Sequence, residues 1–383
     1  MKITFNKKSL TDAISRLMIA VTSKSVSMVT EGILITAETG NTTVTMNAYD
    51  MEKGVRAVIE AEVSEGGSYI ISAQKLLGIV RTMPGEEIDL KVDDKNMVTV
   101  TGGRSMFRLH ALDGSSFPGL PVLNGDRGFF IKEKDLKNLI SRVLFAVEAG
   151  NPTPALNGVY FEIAGNTIKI IGCDGYKFAM CDKVCELQNK NEGEINFKFI
   201  VPVKTATELV KMLSDSEDTV LLELTRKHII FKLSETVLFS RMIDQEYLDY
   251  EKFIPTEAKI TATVNTVDIV EALERASLVT EEKIAGSVRS YVKFSFSGNV
   301  LTITSDSVTG SVKDEIAIFH RGDDLDIGFN CRYLLDAFRA CGDEDVEMRL
   351  NSPLMPMAFS PINPKEDDKF LYFVLPLRMK EQA

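Results

Sequence analysis

One phrase occurs three times in this 383-residue chain. "LTDAISRLMIAV" (Leu10 to Val21) returns as "LKNLISRVLFAV" (Leu136 to Val147), with six of twelve positions identical, and more weakly as "DIVEALERASLV" from Asp268. Aligning the copies puts Arg16, Arg142 and Arg275 in register. The residues downstream repeat as well. Each copy precedes an apolar, alternating phrase with a Gly-Asn pair at its middle: Gly40-Asn41, Gly165-Asn166 and Gly298-Asn299. Such pairs suit tight hairpins because both residues tolerate positive φ, and alternation such as Val292, Phe294, Phe296 marks half-buried strands. A second helical phrase then appears in each unit: "SAQKLLGIVRTM", "PVKTATELVKML" and "NCRYLLDAFRAC". Repeats of this length are whole domains, longer than the 20–50 residues of a solenoid unit.

The expected fold class is therefore α+β: three repeated domains of one topology, each with two helices against antiparallel sheet. Pro, Gly and charge cluster in "FPGLPVLNGDRG" and near "DYEKFIPTEA", which places the domains at 1–124, 127–251 and 257–383.

Composition excludes several classes. No apolar run approaches the ~20 residues of a membrane helix, and nothing after "MKITFNKKSL" reads as a secretory signal, so a cytoplasmic protein without membrane contact is expected. The five cysteines (Cys173, Cys181, Cys185, Cys331, Cys341) are odd in number, which argues against a disulfide framework. Cys181 and Cys185 lack a second pair or a nearby histidine for zinc, so no metal or cofactor is expected. Glycine-rich phosphate loops and HExxH or GxSxG motifs are missing. Cys173 in "GCDGYKF" is the best candidate nucleophile, but no histidine lies near it in sequence to act as base.

On the first helix, Leu10, Ala13, Ile14, Leu17 and Val21 form the buried stripe. Basic residues lie off the stripes: Lys7, Lys8 and Arg16; Lys75 and Arg81; Lys134, Lys137 and Arg142; Lys204 and Lys211; Arg332 and Arg339. From the residues alone these are either ordinary solvated faces, the rule for charged side chains, or a shared basic surface built once per domain. The net charge of −11 disfavours nucleic acid as an average, although a basic lining can sit within an acidic shell. In the third copy Asp268, Glu271 and Glu274 surround Arg275, which weakens a basic surface there.

"MKITF", "ALNGVYFEI", "CDGYKFAM", "YLDYEKFIP" and "YFVLPLRM" occur in this order and spacing across the three repeats. Together they resemble the bacterial DNA polymerase III beta subunit, the sliding clamp, over the whole chain. The resemblance implies a homodimeric ring of six domains, helices inward, encircling duplex DNA without sequence preference. It implies a non-catalytic processivity role. The partners it implies are the replicative and other DNA polymerases and the clamp loader, held through a short glutamine- and leucine/phenylalanine-containing peptide. The peptide site it implies comprises Leu156, Cys173, Gly175, Tyr176, Lys177, Phe178, Leu248, Lys252, Phe253, Phe373, Val374, Leu375, Pro376, Leu377 and Arg378. DNA contact is carried onto Lys24, with Arg16, Arg142, Lys204 and Lys211. The dimer contact is carried onto Phe107 and Leu109 on one edge and Leu278 and Val279 on the other. Departures from the family pattern are Cys173 for a threonine, Tyr176-Lys177 for histidine-arginine, Leu248 for a proline and Phe373 for an aliphatic. The segment "NSPLMPMAFSPINPKEDDK" is expected to be a long loop before the last strand. The rival reading is a three-domain scaffold that does not bind DNA.

Overall fold

The computed structural model describes residues 1–22, 29–254, 257–280, 291–307, 310–342 and 345–379. Six helices form among them: α1 (Lys7–Leu17), α2 (Ala73–Thr82), α3 (Glu133–Leu144), α4 (Val203–Met212), α5 (Thr266–Ser277) and α6 (Cys331–Cys341). They fall where the two repeated helical phrases place them. Three begin at an asparagine whose side chain takes an otherwise orphaned backbone N–H. Asn6 accepts from Ser9 at 3.1 Å, Asn265 from Val267 at 3.0 Å, and Asn330 from Arg332 at 3.0 Å. The helix α6 stops at Gly342, whose φ of +66° suits a residue without Cβ. Each repeat's hairpin turns at its Gly-Asn pair, and it is the glycine that takes positive φ: +82° at Gly40, +59° at Gly165 and +54° at Gly298.

The chain divides into two compact units. The first comprises residues 1–133, 188–193 and 211–242. It holds α1, α2 and two sheets. The smaller sheet orders strands Glu62–Glu65, Lys2–Asn6, Glu87–Val92, Met97–Gly102 and Ser105–His110. The larger includes the first repeat's Gly32–Ala37, Thr43–Tyr49 and Lys53–Glu60, the last pairing with Thr236–Arg241 of the middle repeat. Leu10, Ala13, Ile14 and Leu17 of α1 are all buried, as their spacing predicts, whereas Val21, expected on the same stripe, lies past the helix in extended backbone and is half-buried.

The second unit comprises residues 134–187, 194–210 and 243–383. Its larger sheet runs from Asn196–Pro202 through Gly158–Ala164, Thr167–Cys173 and Lys177–Val184, then Asp368–Val374, Met357–Pro361, Asp345–Leu350, Ile260–Asn265 and Phe319–Arg321. The smaller orders Ser311–Ala317, Val300–Asp306, Val292–Ser297 and Leu325–Phe329, with Val292, Phe294 and Phe296 buried as their alternation requires. Every ladder described in either unit is antiparallel.

One expectation is corrected. Residues 351–369 are not a continuous loop. Met357–Pro361 is a strand between Asp345–Leu350 and Asp368–Val374, with Met357, Ala358 and Phe359 buried. Its prolines hid it in the sequence, but Pro361 ends the strand, where a missing N–H costs little.

Candidate functional site

The "CDGYKF" turn and the terminal strand, almost 200 residues apart in sequence, meet in the second unit. Strands Lys177–Val184 and Asp368–Val374 pair so that Phe178 faces Phe373 and Lys177 faces Val374. Beyond the strand, the Leu375 N–H continues the ladder to the Tyr176 carbonyl at 2.9 Å. Asp174 shapes the turn. Its Oδ1 accepts from the backbone N–H of Tyr176 (2.8 Å) and Lys177 (2.7 Å), a local bond typical of Asp at turns. Gly175 has φ +92°, a conformation that side chains resist. Lys177 is buried, with its Nζ 3.3 Å from Asp174 Oδ2 and 4.7 Å from the Tyr333 ring centroid. The carboxylate and the ring face together offset the cost of turning this side chain inward.

The Phe178 and Phe373 rings stack at 4.8 Å and 10°. They form a buried cluster with Ile171, Tyr250 and Ala358, against which Cys173, Leu248, Tyr160, Tyr247, Met180, Ile254 and Leu371 pack half-buried. Four of the expected peptide residues, Cys173, Phe178, Leu248 and Phe373, therefore share one apolar surface. Tyr176 lies at its edge, 57% exposed, 6.2 Å from the Tyr333 ring. Phe253 and Leu375 are exposed, Val374 is buried, and Pro376 and Leu377 are half-buried. The Leu377 N–H donates to Gly328 O at 2.8 Å. Leu156 is half-buried in the turn Pro154–Asn157. Lys252 is exposed and paired with Asp249 at 2.7 Å, and Arg378 is exposed.

Sequence reasoning missed the tyrosines of this surface. Tyr160 and Tyr247 stack at 4.6 Å and 4°. The Tyr250 hydroxyl donates to Glu162 at 3.0 Å. Burial, aided by Glu162, pushes the Tyr250 phenol well up. Burial does the same to Tyr247, whose hydroxyl has no hydrogen-bond partner among the described residues. Tyr247 and Tyr250 flank Leu248 in the "YLDYEKFIP" phrase, and that spacing was the available signal.

The basic residues separate in environment. Arg16 is exposed on α1, in line with Lys8 and Asp12 one helical turn apart. Its guanidinium donates to Thr236 Oγ1 at 3.0 Å beside an open cavity of about 350 Å³ that Asp12, Glu60 and Glu235 also line. Arg142, its repeat equivalent, is half-buried and ion-paired with Asp368 at 2.6 Å. Lys204 and Lys211 are exposed on α4. Lys24 lies outside the described residues.

The two expected dimer patches are both exposed and apolar. Ser105–His110 is the edge strand of its sheet, with Phe107 43% exposed and Leu109 half-buried. Leu278, which caps α5, is 84% exposed, and Val279 is half-buried beside it. In the same unit Ser311–Ala317 is an edge strand. Open edges and exposed apolar side chains are what an interface covers.

Comparison with known proteins decides the family. Residues 1–121 match the N-terminal domain of the DNA polymerase III beta subunit, 130–249 its central domain and 251–378 its C-terminal domain. The chain belongs to the DNA polymerase III beta subunit family. The beta sliding clamp of Halalkalibacterium halodurans is 30% identical over 370 residues, covering 94% of each chain. That of Chlamydia muridarum is 26% identical over the full length of both. Among solved structures, the DNA polymerase sliding clamp from Bacillus subtilis superposes with TM-score 0.91 at 25% identity, covering 99% of this chain and 100% of that one. A Pseudomonas aeruginosa sliding clamp bound to griselimycin gives 0.88 at 25%, with the same coverage. The fold is thus the three-domain sliding-clamp fold.

A beta subunit is a processivity factor and not an enzyme. Burial pushes the thiols of Cys181 and Cys185 up to about 12, and that of Cys173 upward. Among the described residues no group of three or more His, Cys, Asp or Glu side chains could hold a metal ion, and no helix is long and apolar enough to cross a membrane.

Proposed function

We propose that two copies of this chain close head to tail into a ring around duplex DNA in the bacterial cytoplasm. The ring tethers replicative and other DNA polymerases and the clamp loader through the aromatic surface around Phe178 and Phe373. The observation that carries the partner site is the pairing of Lys177–Val184 with Asp368–Val374, which brings Phe178 and Phe373 together beside Cys173 and Leu248. A mostly apolar patch with a buried lysine and an unpartnered tyrosine hydroxyl suits an extended peptide with apolar anchors and a polar side chain.

A processivity ring has no use for base-edge readers, since these would make particular sites sticky. Its attraction comes from Lys and Arg against phosphate. The contacts we assign are Lys24, Arg16, Lys204 and Lys211. Arg142 is set aside because Asp368 already neutralises it. The dimer contact brings Phe107 and Leu109 against Leu278 and Val279 of the second copy, and the domains span 1–124, 127–251 and 257–383. The scaffold alternative is not favoured by the family. Loading on DNA tests the proposal: a clamp is retained on circular duplex and lost when that duplex is linearised, whereas equal retention on both overturns it.

A further inference from the structure

The helices of the three repeats are not electrostatically equivalent. On α1 and α2, Lys7, Lys8, Arg16, Lys75 and Arg81 stand against a single acid, Asp12. None of the five basic side chains reaches a carboxylate among the described residues. Lys7 Nζ donates to the Met83 carbonyl, just past the end of α2. Arg16 and Arg81 donate to hydroxyls, of Thr236 at 3.0 Å and Ser15 at 3.2 Å. Neutral acceptors fix the side chains and leave the positive charge in place.

On α5 and α6 the balance reverses. Arg275, Arg332 and Arg339 face four acids: Asp268, Glu271, Glu274 and Asp336. All three arginines are ion-paired. Arg275 Nε lies 2.5 Å from Asp314 Oδ2, with Glu271 at 3.8 Å from its Nη1. Arg339 pairs with Glu274 at 2.6 Å, linking α6 to α5, and Arg332 lies 3.9 Å from Asp336. A guanidinium already matched by a carboxylate releases no counterion when phosphate approaches. Beyond the ~10 Å Debye length at 0.1 M salt such a pair is nearly neutral.

We infer that the α1–α2 surface of the first repeat attracts the duplex phosphates in this clamp, whereas the α5–α6 surface of its third repeat is electrostatically silent toward DNA. The inference rests on the clamp reading above. It adds that the encircled duplex is drawn to the first repeat of each subunit in preference to the third.

The test is the salt dependence with which the full-length dimer binds a short fluorescent duplex of random sequence. Replacing Lys8, Arg16, Lys75 and Arg81 by Gln should lower the log–log salt slope by about 0.9 for each phosphate that is no longer neutralised. Lysine in place of Arg16 and Arg81 should preserve it. The third-repeat variant removes charge in balanced pairs, Arg275→Gln with Asp314→Asn and Arg339→Gln with Glu274→Gln, so net charge is unchanged. Its slope should equal that of the wild type. Dimer mass and melting curves confirm that both variants fold. A third-repeat slope reduced as much as the first-repeat slope overturns the inference while leaving the clamp intact. A wild type whose binding ignores salt overturns the clamp reading itself.

Discussion

Arg142 and Asp368, 226 positions apart, are joined by a 2.6 Å ion pair between α3 and the last strand. The guanidinium also sits 5.6 Å from the Phe370 ring centroid. Asp368 is the register partner of Lys183, whose Nζ reaches Asp135 of α3 at 2.8 Å. Alternating charges thus fasten one end of the strand pair whose other end carries the stacked Phe178 and Phe373 rings. The sequence repeat equates Arg142 with Arg16, but the fold gives it this structural task.

Arg142→Ala should therefore act on stability rather than on DNA. Losing a hydrogen bond to a charged group in this half-buried setting costs about 1.5–3 kcal/mol, read as a lower melting temperature. The salt slope of DNA binding should stay unchanged, and the exchange of Arg142→Asp with Asp368→Arg should restore part of the loss. A variant with wild-type melting and a reduced slope would return Arg142 to the DNA surface.

Leu377→Ala probes the proposed peptide site without disturbing its frame, because Leu377 holds Gly328 through its backbone N–H, which the substitution keeps. Truncating an apolar anchor near the centre of an interface commonly costs ~1–2 kcal/mol or more. Titration with a glutamine-leucine-phenylalanine type peptide should show clearly weaker affinity with an unchanged melting curve. Unchanged affinity would place the groove elsewhere, and a collapsed melting temperature would make Leu377 a core residue.

Leu278→Glu and Phe107→Glu should each yield folded monomers. Both side chains are exposed within the chain, so a carboxylate there is solvated until a second copy tries to bury it, which is costly. Sedimentation gives the answer directly, and dimers that persist in both variants would refute the assigned interface.

Glu223 gives a pH prediction. It is 1% exposed and accepts from Lys190 at 2.6 Å, Lys232 at 2.9 Å and the Gly125 N–H at 3.1 Å. Burial alone would raise its carboxyl, but these three donors outweigh burial and hold it below the usual range. A carboxyl depressed by folding contributes stability above its unfolded pKa, and that contribution is lost as pH falls through the folded value. Denaturation midpoints should thus fall on acidification below the ordinary glutamate range. In Glu223→Gln that acid limb should be shallower and the neutral-pH midpoint lower. An acid limb identical in both proteins would deny Glu223 this role.

By itself the sequence determined what is local. Apolar spacing set six helices and their buried stripes, asparagines set three of the caps, and the Gly-Asn pairs set the hairpin turns, because each depends on residues within a few positions of one another. It also showed, through Asp268, Glu271 and Glu274, that the third repeat's first helix differs in charge. Only the tertiary structure decided the non-local partners. Strand Met357–Pro361 exists because two flanking strands supply its hydrogen bonds, which its proline-rich phrase conceals. Tyr160, Tyr247 and Tyr250 join the aromatic cluster because the sheet and the linker bring them to Phe178 and Phe373. Arg16 and Arg142 read alike in sequence, and what separates them is a carboxylate 226 residues away that no local pattern encodes.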